Sequence, residues 1–459
     1  MAELRRIGDV VWEIDARARA DMRVPARVYA DDRLIEAIQS DDALGQLQNV
    51  ATLPGIVEAA MAMPDVHQGY GFPVGTVAAT EPPDGVVSPG GVGYDINCGV
   101  RLLALPVTFA ELGGRKEQLV HEISRRVPSG VGKGGALDLS ADELERVLVE
   151  GPRALVEHHG MGTEDDLEHT ESQGRIDGAD PQRVSDRARQ RGAPQLGTMG
   201  SGNHFVEVQN VRRLHQARFG LGIDQVTVLV HSGSRGLGHQ VCTDFVKRMD
   251  AALAAHGIEL PDRQLSCAPA SSADGRAYLA AMAAAANFAW ANRQAIAHAV
   301  REAVRAVLGG DVAAGTCQVY DVAHNVAKVE RHGGRELCVH RKGATRAFPG
   351  QAIFIPGSMG TSSFVLAGEE GAMEQTFGTV CHGAGRAMSR TGARKRVRGA
   401  DLRRQLEEQG ITVHSPSNKG LAEEAPFAYK DVEAVVDVVT RAGLASPVAQ
   451  LRPIGVVKG

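Results

Sequence analysis

The chain has 459 residues, of which 43% are hydrophobic and 23% charged, a composition ordinary for a globular enzyme with a large core. Its formal net charge of −5 does not indicate a polyanion partner, so any nucleic-acid site must be a local basic patch. The six cysteines are far apart and form no CxxC pair, which argues against a zinc ribbon, a thioredoxin-like motif and a disulfide framework and fits a reducing cytosol.

The first quarter of the chain is predicted to form a small mixed segment followed by short strands. In residues 1–50, Asp31 and Asp32 predict the start of a short helix that runs through Ile38. From Ile56 to Leu105, short apolar runs are separated by Gly and Pro, a pattern typical of strands joined by tight turns.

The segment 106–195 is polar and is predicted to be more helical than its surroundings. Ser140 and Glu143 have the spacing of a capping box, in which each side chain accepts from the other's backbone N–H. Asp180 followed by Pro181 is a second signal for a helix start.

The second half of the chain is predicted to be mixed. Strands are expected at 204–209 and 226–230, and one long helix with a buried face at Gly275–Leu308, ended by two glycines. Strand-like, Gly-rich sequence follows to about residue 382. A basic helical region then leads to a short C-terminal tail that includes Arg452.

Strands and helices do not alternate regularly, which favours an α+β fold over a doubly wound sheet. We expect a single integrated domain, residues 1–459, with a β-sheet core flanked by helices. The longest apolar stretch, 279–291, is too short to cross a bilayer, and no apolar signal core follows Met1. The sequence therefore predicts a cytoplasmic protein.

Histidines and acidic residues recur at predicted strand ends beside Gly, Ser or Asn. Glycine lets the chain turn sharply and approach a ligand, and binding residues are commonly carried on such loops. The pattern occurs at 64–67, 93–99, 200–204, 230–236, 323–325 and 381–386. We therefore expect a Gly-rich central cleft that holds a metal or a nucleotide.

Asp95 and Cys98 are three residues apart in a Gly-flanked turn. A carboxylate and a thiolate facing one cation, with imidazoles added, suit Mn, Zn, Fe or Co better than Mg or Ca alone, and a thiolate can also bridge two ions. The alternative is that Cys98 is a buried small hydrophobe and that each histidine is structural. Spacing alone leaves both open.

His382 lies in His-Gly-Ala-Gly-Arg. Small neighbours leave room for a phosphate that backbone N–H groups could bind, and a helix opened by 383–386 would favour the anion further. A neutral histidine there could attack phosphorus. A turn with a structural histidine is the alternative.

Arginines follow His382 at Arg386, Arg390 and Arg394, on one face if the segment is helical. A charge run is usually a solvated face, but its position next to the candidate nucleophile favours polyanion binding. Few aromatic residues interleave the basic ones, so backbone phosphate contacts should dominate over base stacking.

Taken together, these motifs resemble the RtcB family of RNA-splicing ligases. Long motifs in one order, such as SPGGVGYDINCGVR at 88–101 and LGTMGSGNHFVE at 196–207, make a chance match negligible. The resemblance is carried by 63–75, 88–101, 196–207, 231–240, 321–325, 339–346, 356–361, 382–386, 428–432 and 458–459, while 1–50 and 105–190 match more loosely.

By motif, the resemblance implies the following site residues. The ligands of two Mn²⁺ ions would be Asp95, Cys98, His204, His231 and His324. His382 would take GMP, with Asp65 near it. The guanylate pocket would comprise Asn203, Phe205, Glu207, Asn325, Ser358, Ala384, Gly385, Tyr429 and Lys458. RNA phosphates would meet Arg235, Lys342 and Arg386, beside the basic Arg390 and Arg394.

The resemblance also implies the reaction. The family uses GTP and Mn²⁺ to join an RNA 3′-phosphate or 2′,3′-cyclic phosphate to a 5′-hydroxyl, through a guanylylated histidine and a guanylylated RNA 3′ end, in tRNA splicing or RNA repair. Archease is implied as a partner, and we expect a monomer. A metal-dependent phosphodiesterase or phosphatase without a covalent nucleotide step is the alternative enzyme, and a non-enzymatic RNA-binding scaffold is the third hypothesis.

Overall fold

The computed structural model describes residues 3–130, 132–135 and 137–459. Its strands are β1 (Leu4–Arg6), β2 (Val11–Ile14), β3 (Ala26–Tyr29), β4 (Ala60–His67), β5 (Val74–Thr80), β6 (Val86–Val87), β7 (Gly99–Thr108), β8 (Phe205–Leu214), β9 (Gln225–Ser232), β10 (Ala268–Pro269), β11 (Cys317–Ala323), β12 (Asn325–His332), β13 (Arg335–Lys342), β14 (Ala344–Arg346), β15 (Ala352–Ile355), β16 (Ser363–Gly368), β17 (Thr379–Cys381), β18 (Thr412–His414) and β19 (Ala445–Lys458). Its α-helices are α1 (Asp32–Gln39), α2 (Ala43–Val50), α3 (Phe109–Leu112), α4 (Lys116–Arg126), α5 (Ala141–Glu150), α6 (Pro152–His159), α7 (Glu164–Glu168), α8 (Asp186–Gly192), α9 (Arg235–Ala252), α10 (Ala273–Leu308), α11 (Gly310–Ala314), α12 (Glu370–Thr376), α13 (Arg390–Arg396), α14 (Gly399–Glu408), α15 (Asn418–Glu423) and α16 (Val432–Arg441).

Two large sheets organise these elements. One has seven strands in the order β1-β2-β3-β4-β5-β13-β12, and the other has eight, in the order β11-β7-β9-β8-β19-β16-β15 with β18 paired to β19. Helices and strands mix without regular alternation, which confirms the predicted α+β class. Among the described residues, no helix has the length and hydropathy needed to cross a membrane.

Local signals placed several helices correctly. Asp31 caps α1 through Leu34 N, and Ser140 and Glu143 form the predicted capping box of α5. The helix-start signal at Asp180 yields only a three-residue 3-10 turn, Pro181–Arg183. A capping residue satisfies the first N–H groups of a helix, but an apolar face must then stabilise further turns.

Helix α10 is 36 residues long and buried along most of its length, as the sequence predicts. It is packed mainly through alanines, which allow α4, α5, α6 and α9 to approach closely. Its middle carries the fully buried polar residues Asn292, Arg293 and Gln294. Buried polar groups need partners, so this stretch indicates a polar network beneath the sheet edge.

The C-terminal segment differs from the prediction of a short tail. Residues Ala445–Lys458 form β19, which lies between β8 and β16 inside the eight-stranded sheet. Two prolines and a glycine hide the strand pattern, and the register with β8 shifts between Pro453 and Gly455. A proline cannot donate to the strand ladder, and such irregularities let a strand accommodate it.

Candidate active site

Four adjacent strands of the eight-stranded sheet bring their ends to one edge. Gly99, the first residue of β7, pairs with Ser232 at the end of β9 and with Ala323 at the end of β11, while Phe205 at the start of β8 pairs with His231. Because neighbouring strands are antiparallel, the start of each lies beside the end of the next. Side chains at these ends therefore meet although they are far apart in sequence.

The residues so collected are Asp95, Cys98, His204, His231 and His324, which we call the ligand cluster. The Cys98 Sγ atom lies 3.3 Å from Nε2 of both His204 and His231. His231 Nε2 is 3.4 Å from His324 Nε2. Asp95 Oδ2 is 2.9 Å from His204 Nε2.

Two groups of three ligand atoms result, and Cys98 belongs to both. Cys98, His231 and His324 form one, and Asp95, Cys98 and His204 form the other, with all ligand atoms of each group within 4.8 Å of one another. One sulfur shared between two sets of three donors fits a pair of cations bridged by a thiolate.

The electrostatics of the cluster also fit a cation. Burial lowers the pKa of His231 and His324 well below the usual value, so both imidazoles are neutral, as metal ligands must be. Burial and the Asp95 carboxylate raise the pKa of the Cys98 thiol well above its usual value. A thiolate at this position therefore needs a nearby positive charge, which a divalent ion supplies.

A buried arginine fixes the backbone that carries these ligands. Arg293 of α10 donates to Asn97 O at 2.8 Å and to Ser232 O at 2.9 Å, beside Cys98 and His231. The carboxylate of Asp321 balances its charge at 2.8 Å. Asn97 itself has a left-handed φ of 50°, a strained conformation that this bonding stabilises.

His382 lies against the ligand cluster and is paired with a buried carboxylate. Its ring centroid is 4.8 Å from that of His324. Its Nδ1 lies 2.6 Å from Oδ2 of Asp65, and its backbone N–H donates to the same oxygen at 3.0 Å. Asp65 is fully buried. This arrangement orients the imidazole and leaves Nε2 free of the carboxylate.

The segment after His382 is not a helix, which corrects the expectation for 383–386. Helix α13 begins only at Arg390, and Arg386 forms an isolated bridge with Tyr429. Gly385 has a φ of 71°, and a Cβ on it would lie 2.1 Å from Asp65 O. The glycine is needed for close backbone approach to Asp65, and this irregular path replaces the helix.

A cavity of about 490 Å³ opens beside His382. Six of the nine predicted guanylate residues line it: Asn203, Phe205, Asn325, Ala384, Gly385 and Tyr429. The other three, Glu207, Ser358 and Lys458, are buried outside this lining. Lys458 pairs with Phe205 across β19 and β8, and its Nζ donates to His204 O at 3.2 Å.

Glu207 is buried with little to balance a negative charge. Burial raises the pKa of its carboxyl to about 8. Gln209 donates to its Oε2 at 2.5 Å. Burial lowers the pKa of Lys458 to about 8. These two ionisable groups lie in the protein interior outside the cavity lining.

The arginines after His382 form ion pairs with two glutamates, of which one is buried and the other partly exposed. Arg386 and Arg390 lie 3.1 Å and 2.9 Å from Glu424, which is 2% exposed, and Tyr429 OH also donates to this carboxylate. Arg394 lies 3.4 Å from Glu423. We call Arg386, Arg390 and Arg394 the arginine cluster; Arg386 lies outside the helix, so the three do not share one helical face.

The other two predicted RNA contacts differ in accessibility. Arg235 is half-buried beside the ligand cluster, with Nη1 3.2 Å from His204 Nδ1. Lys342 is 5% exposed and donates to the carbonyls of Tyr70 and Phe72. Burial lowers the pKa of Lys342 to about 7. Lys342 lines the smaller cavity but is committed to the backbone.

A second, wider cavity of about 1170 Å³ adjoins the first. Asp95, Asn203 and Arg390 line both. Its further basic lining residues are Lys133, Arg191, Arg235 and Lys419. The ligand cluster thus lies between a small pocket and a broad basic cleft, although the chain as a whole is acidic.

Three residues important to this geometry were not among the predicted site residues. Glu424 anchors the arginine cluster, and Lys430 donates to Pro64 O beside Asp65. His67 lines the smaller cavity, and burial lowers the pKa of its imidazole to about 4. His67 and Lys430 had a sequence signal, their places in the 64–67 and 428–432 motifs, whereas Glu424 lies in a segment without a distinctive pattern.

Comparison with known proteins covers nearly the whole chain. A family model described as tRNA-splicing ligase RtcB matches residues 46–459. A relative named tRNA-splicing ligase RtcB from Archaeoglobus fulgidus is 52% identical over 478 residues, covering 99% of each chain. One of the same name from Thermococcus kodakarensis is 51% identical and covers 100% of this chain and 99% of its own. The RNA-splicing ligase RtcB of Mycobacterium tuberculosis is 49% identical over 438 residues, which are 90% of this chain and all of the relative.

Proposed function

The chain belongs to the tRNA-splicing ligase RtcB family, and from that premise we propose that it joins an RNA 3′-phosphate or 2′,3′-cyclic phosphate to a 5′-hydroxyl through a GMP–histidine intermediate. The observation that carries the proposal is the juxtaposition of His382, paired with Asp65, and a ligand cluster whose two halves share Cys98.

The cofactor we propose is a pair of Mn²⁺ ions, which the five side chains of the ligand cluster would hold. Oxygen, sulfur and imidazole donors in one site favour a transition ion over Mg²⁺ or Ca²⁺. When bound, such ions neutralise charge that develops on phosphoryl oxygens. Full activity in Mg²⁺ alone, after trace transition metals are stripped, would contradict this assignment.

His382 is the proposed nucleophile. The Asp65 carboxylate, 2.6 Å from Nδ1, favours the tautomer with its proton on Nδ1 and leaves the lone pair of Nε2 for attack. Nε2 then attacks the α-phosphorus of GTP, forming a P–N bond as pyrophosphate leaves.

The guanylate is proposed to occupy the smaller cavity. Its volume of about 490 Å³ suits one nucleotide. The ring of Tyr429 and the backbone at Ala384 and Gly385 line it next to His382. Glu207 and Lys458, behind Phe205, would recognise the guanine through their polar atoms once they move toward it.

The remaining two transfers use the broad basic cleft. An oxygen of the RNA 3′-phosphate attacks the phosphorus on His382, which releases the histidine and leaves a guanylylated RNA end. The 5′-hydroxyl oxygen then attacks the RNA 3′-phosphorus, gives up its proton and displaces GMP. The lysines and arginines of the cleft would position the RNA backbone through its phosphates.

Trapping GMP on the protein tests the proposal. After incubation with α-labelled GTP and Mn²⁺ without RNA, an acid-labile, base-stable adduct should appear on the peptide that contains Cys381-His382-Gly383. His382→Ala should abolish the adduct and the ligation of 3′-phosphate RNA. The same variant should still join RNA supplied with a preformed guanylylated 3′ end, because that step does not pass through the nucleophile.

A histidine outside both cavities gives the matched control. His414 lies on β18, and His414→Ala should leave adduct and ligation as in the wild type. GMP found on a lysine such as Lys458 would overturn the assignment of His382. RNA cleavage without any adduct would instead favour the phosphodiesterase alternative. The single domain, the monomeric state, the cytoplasmic location and the archease partner stay predictions.

A further inference from the structure

Three aromatic rings lie side by side where the two cavities meet. Tyr94 stacks on His239 with ring centroids 4.8 Å apart and an angle of 30° between planes. Tyr70 meets Tyr94 edge to face at 5.3 Å. Tyr70 and Tyr94 line the smaller cavity, and His239 lines the larger one. We call these three rings the aromatic ladder.

The ladder is next to the reacting centre. Tyr94 precedes Asp95, whose carboxylate is 2.9 Å from His204 and which lines both cavities. His239 lies on α9, one turn after Arg235, so the ladder and that guanidinium border the same cleft. An RNA that reached the ligand cluster through the larger cavity would lie beside His239, the ring of the ladder that lines that cavity.

The ladder is separate from the aromatic residues proposed for GMP. The ring of Phe205 contacts His231 and lies under Lys458. The ring of Tyr429 lies under Arg386. The partners of Tyr94 are instead Tyr70 and His239. The site thus has two aromatic surfaces, one beside His382 and one at the entrance from the basic cleft.

The rings of the ladder are accessible and uncharged. His239 is exposed and Tyr94 half-buried, unlike rings that serve only to fill a core. Partial desolvation of the ring, and then the positive charge of Arg191, lowers the pKa of His239, so its imidazole is neutral near pH 7. Burial raises the pKa of Tyr70 to about 12, which keeps its phenol protonated. Neutral rings present the π faces on which nucleobases stack.

We propose that the base of the nucleotide at one of the two RNA ends being joined stacks on the exposed ring of His239, which Tyr94 supports from its other side. The proposal rests on the proposed function and adds the means by which an end is positioned. Phosphate contacts from the cleft hold the backbone, but stacking fixes the last base and hence the reacting oxygen. Because every base has a π face, the contact accepts any sequence.

Direct binding of short RNAs that carry the fluorescent base 2-aminopurine tests this without GTP. One arm places 2-aminopurine at a 5′-hydroxyl end and the other at a 3′-phosphate end. Binding to the wild-type protein should strongly quench the fluorescence of 2-aminopurine in one of the two arms. An abasic nucleotide at that same position should weaken binding by roughly 5- to 100-fold, the loss expected for one base–aromatic stack.

Substitutions at His239 separate stacking from structure. His239→Ala should lower affinity by a similar factor for the normal RNA but not for the abasic RNA. His239→Phe should restore both affinity and quenching, since it keeps a flat ring. A merely structural role for His239 would affect normal and abasic RNA alike, and that result would overturn the proposal.

Other outcomes are equally decisive. Abasic RNA that binds as tightly as normal RNA in both arms would show that no base stacks here. If His239→Ala raised the KM for GTP and left RNA binding unchanged, the ladder would belong to the guanine instead. Failure of the wild type to form a GMP adduct would count against the proposed function alone, because the binding assay contains no GTP.

Discussion

The ligand cluster and the arginine cluster border the same two cavities, through Asp95 and Arg390, and are built in opposite ways. The ligands sit at strand ends and are nearly all buried; Cys98 is 2% exposed and His231 5%. The arginines sit on an irregular segment and a short helix, and Arg390 is exposed. The ligand cluster depends on packing between segments that are distant in sequence. The arginine cluster depends on ion pairs to Glu423 and Glu424.

This difference indicates how each part tolerates change. Arg293 and Asp321 hold the backbone around the ligands from inside the core, where an unpaired charge is costly. Arg394 pairs with the partly exposed Glu423, so water screens that pair, whereas Arg386 and Arg390 share the buried Glu424 but keep partly exposed side chains that can meet another anion. We therefore expect a single substitution in the ligand cluster to abolish activity. A single substitution in the arginine cluster should only weaken RNA binding.

Cys98→Ser should have the largest effect. Serine has a similar size but binds transition ions poorly, so both groups of three donors lose their shared ligand. RNA ligation should be lost and bound Mn²⁺ should fall, while the thermal unfolding temperature of the metal-free protein stays close to the wild type. Cys338→Ser, at a buried cysteine of β13, is the control and should lower stability but keep specific activity.

Asp65→Asn should come next. The amide cannot balance an imidazole that develops positive charge, so GMP transfer to His382 should slow by roughly 100- to 10,000-fold. The rate of adduct formation measures this. Asp321→Asn sharpens the comparison, because there two buried arginines lose their carboxylate and thermal stability should fall first. Unchanged adduct formation in Asp65→Asn would remove Asp65 from the reaction.

The double variant Arg390→Ala with Arg394→Ala should weaken RNA binding without abolishing it. Each RNA phosphate that the variant no longer neutralises should reduce the slope of log affinity against log salt by about 0.7. Since both arginines already pair with glutamates, we expect the slope to fall by about 1 rather than by the full sum. GMP transfer should survive. Arg125→Ala, at an arginine paired with Glu122 on α4, should change nothing, and an unchanged slope in the double variant would assign both arginines to the protein surface alone.

Lys342→Met should have the smallest effect, which should appear in how the free energy of unfolding changes with pH. Burial lowers the pKa of Lys342 from 10.5 to about 7, so between those values the unfolded chain holds a proton that the folded protein lacks. Raising the pH across that window therefore increases the free energy of unfolding of the wild type. The variant has no titrating group at this position and should lack that increase. Urea unfolding at pH 7 and pH 9 measures the difference. Lys395→Met, at an exposed lysine, should track the wild type at both values.

The sequence was most informative where the signal is local. The capping residue of α1, the capping box of α5 and the span of α10 depend on neighbours within a turn or two, and all three were predicted. The strand β19 was not, because Pro447, Pro453 and Gly455 interrupt its apolar pattern. Its partner β8 is equally distant in the chain but has an uninterrupted pattern, and it was predicted.

The candidate site shows the same division. Residue types beside glycine indicated the ligands and His382, but their convergence depends on the antiparallel order of β11, β7, β9 and β8, which no local pattern encodes. The arginines were visible as a charge run. Glu424, which binds two of them, was not, because a single buried glutamate in a helix end resembles a surface residue until its partners are known.

The central position of β19 also bears on the order of folding. During synthesis, β8 and β16 are complete long before residues 445–458 leave the ribosome, yet each pairs with β19. Until then both strands expose unpaired backbone groups, which invite aggregation with other chains. Lys458 and the register that places it beside Phe205 come with the same strand. The eight-stranded sheet is therefore completed, and Lys458 placed beside Phe205, only after both β8 and β16 have been made.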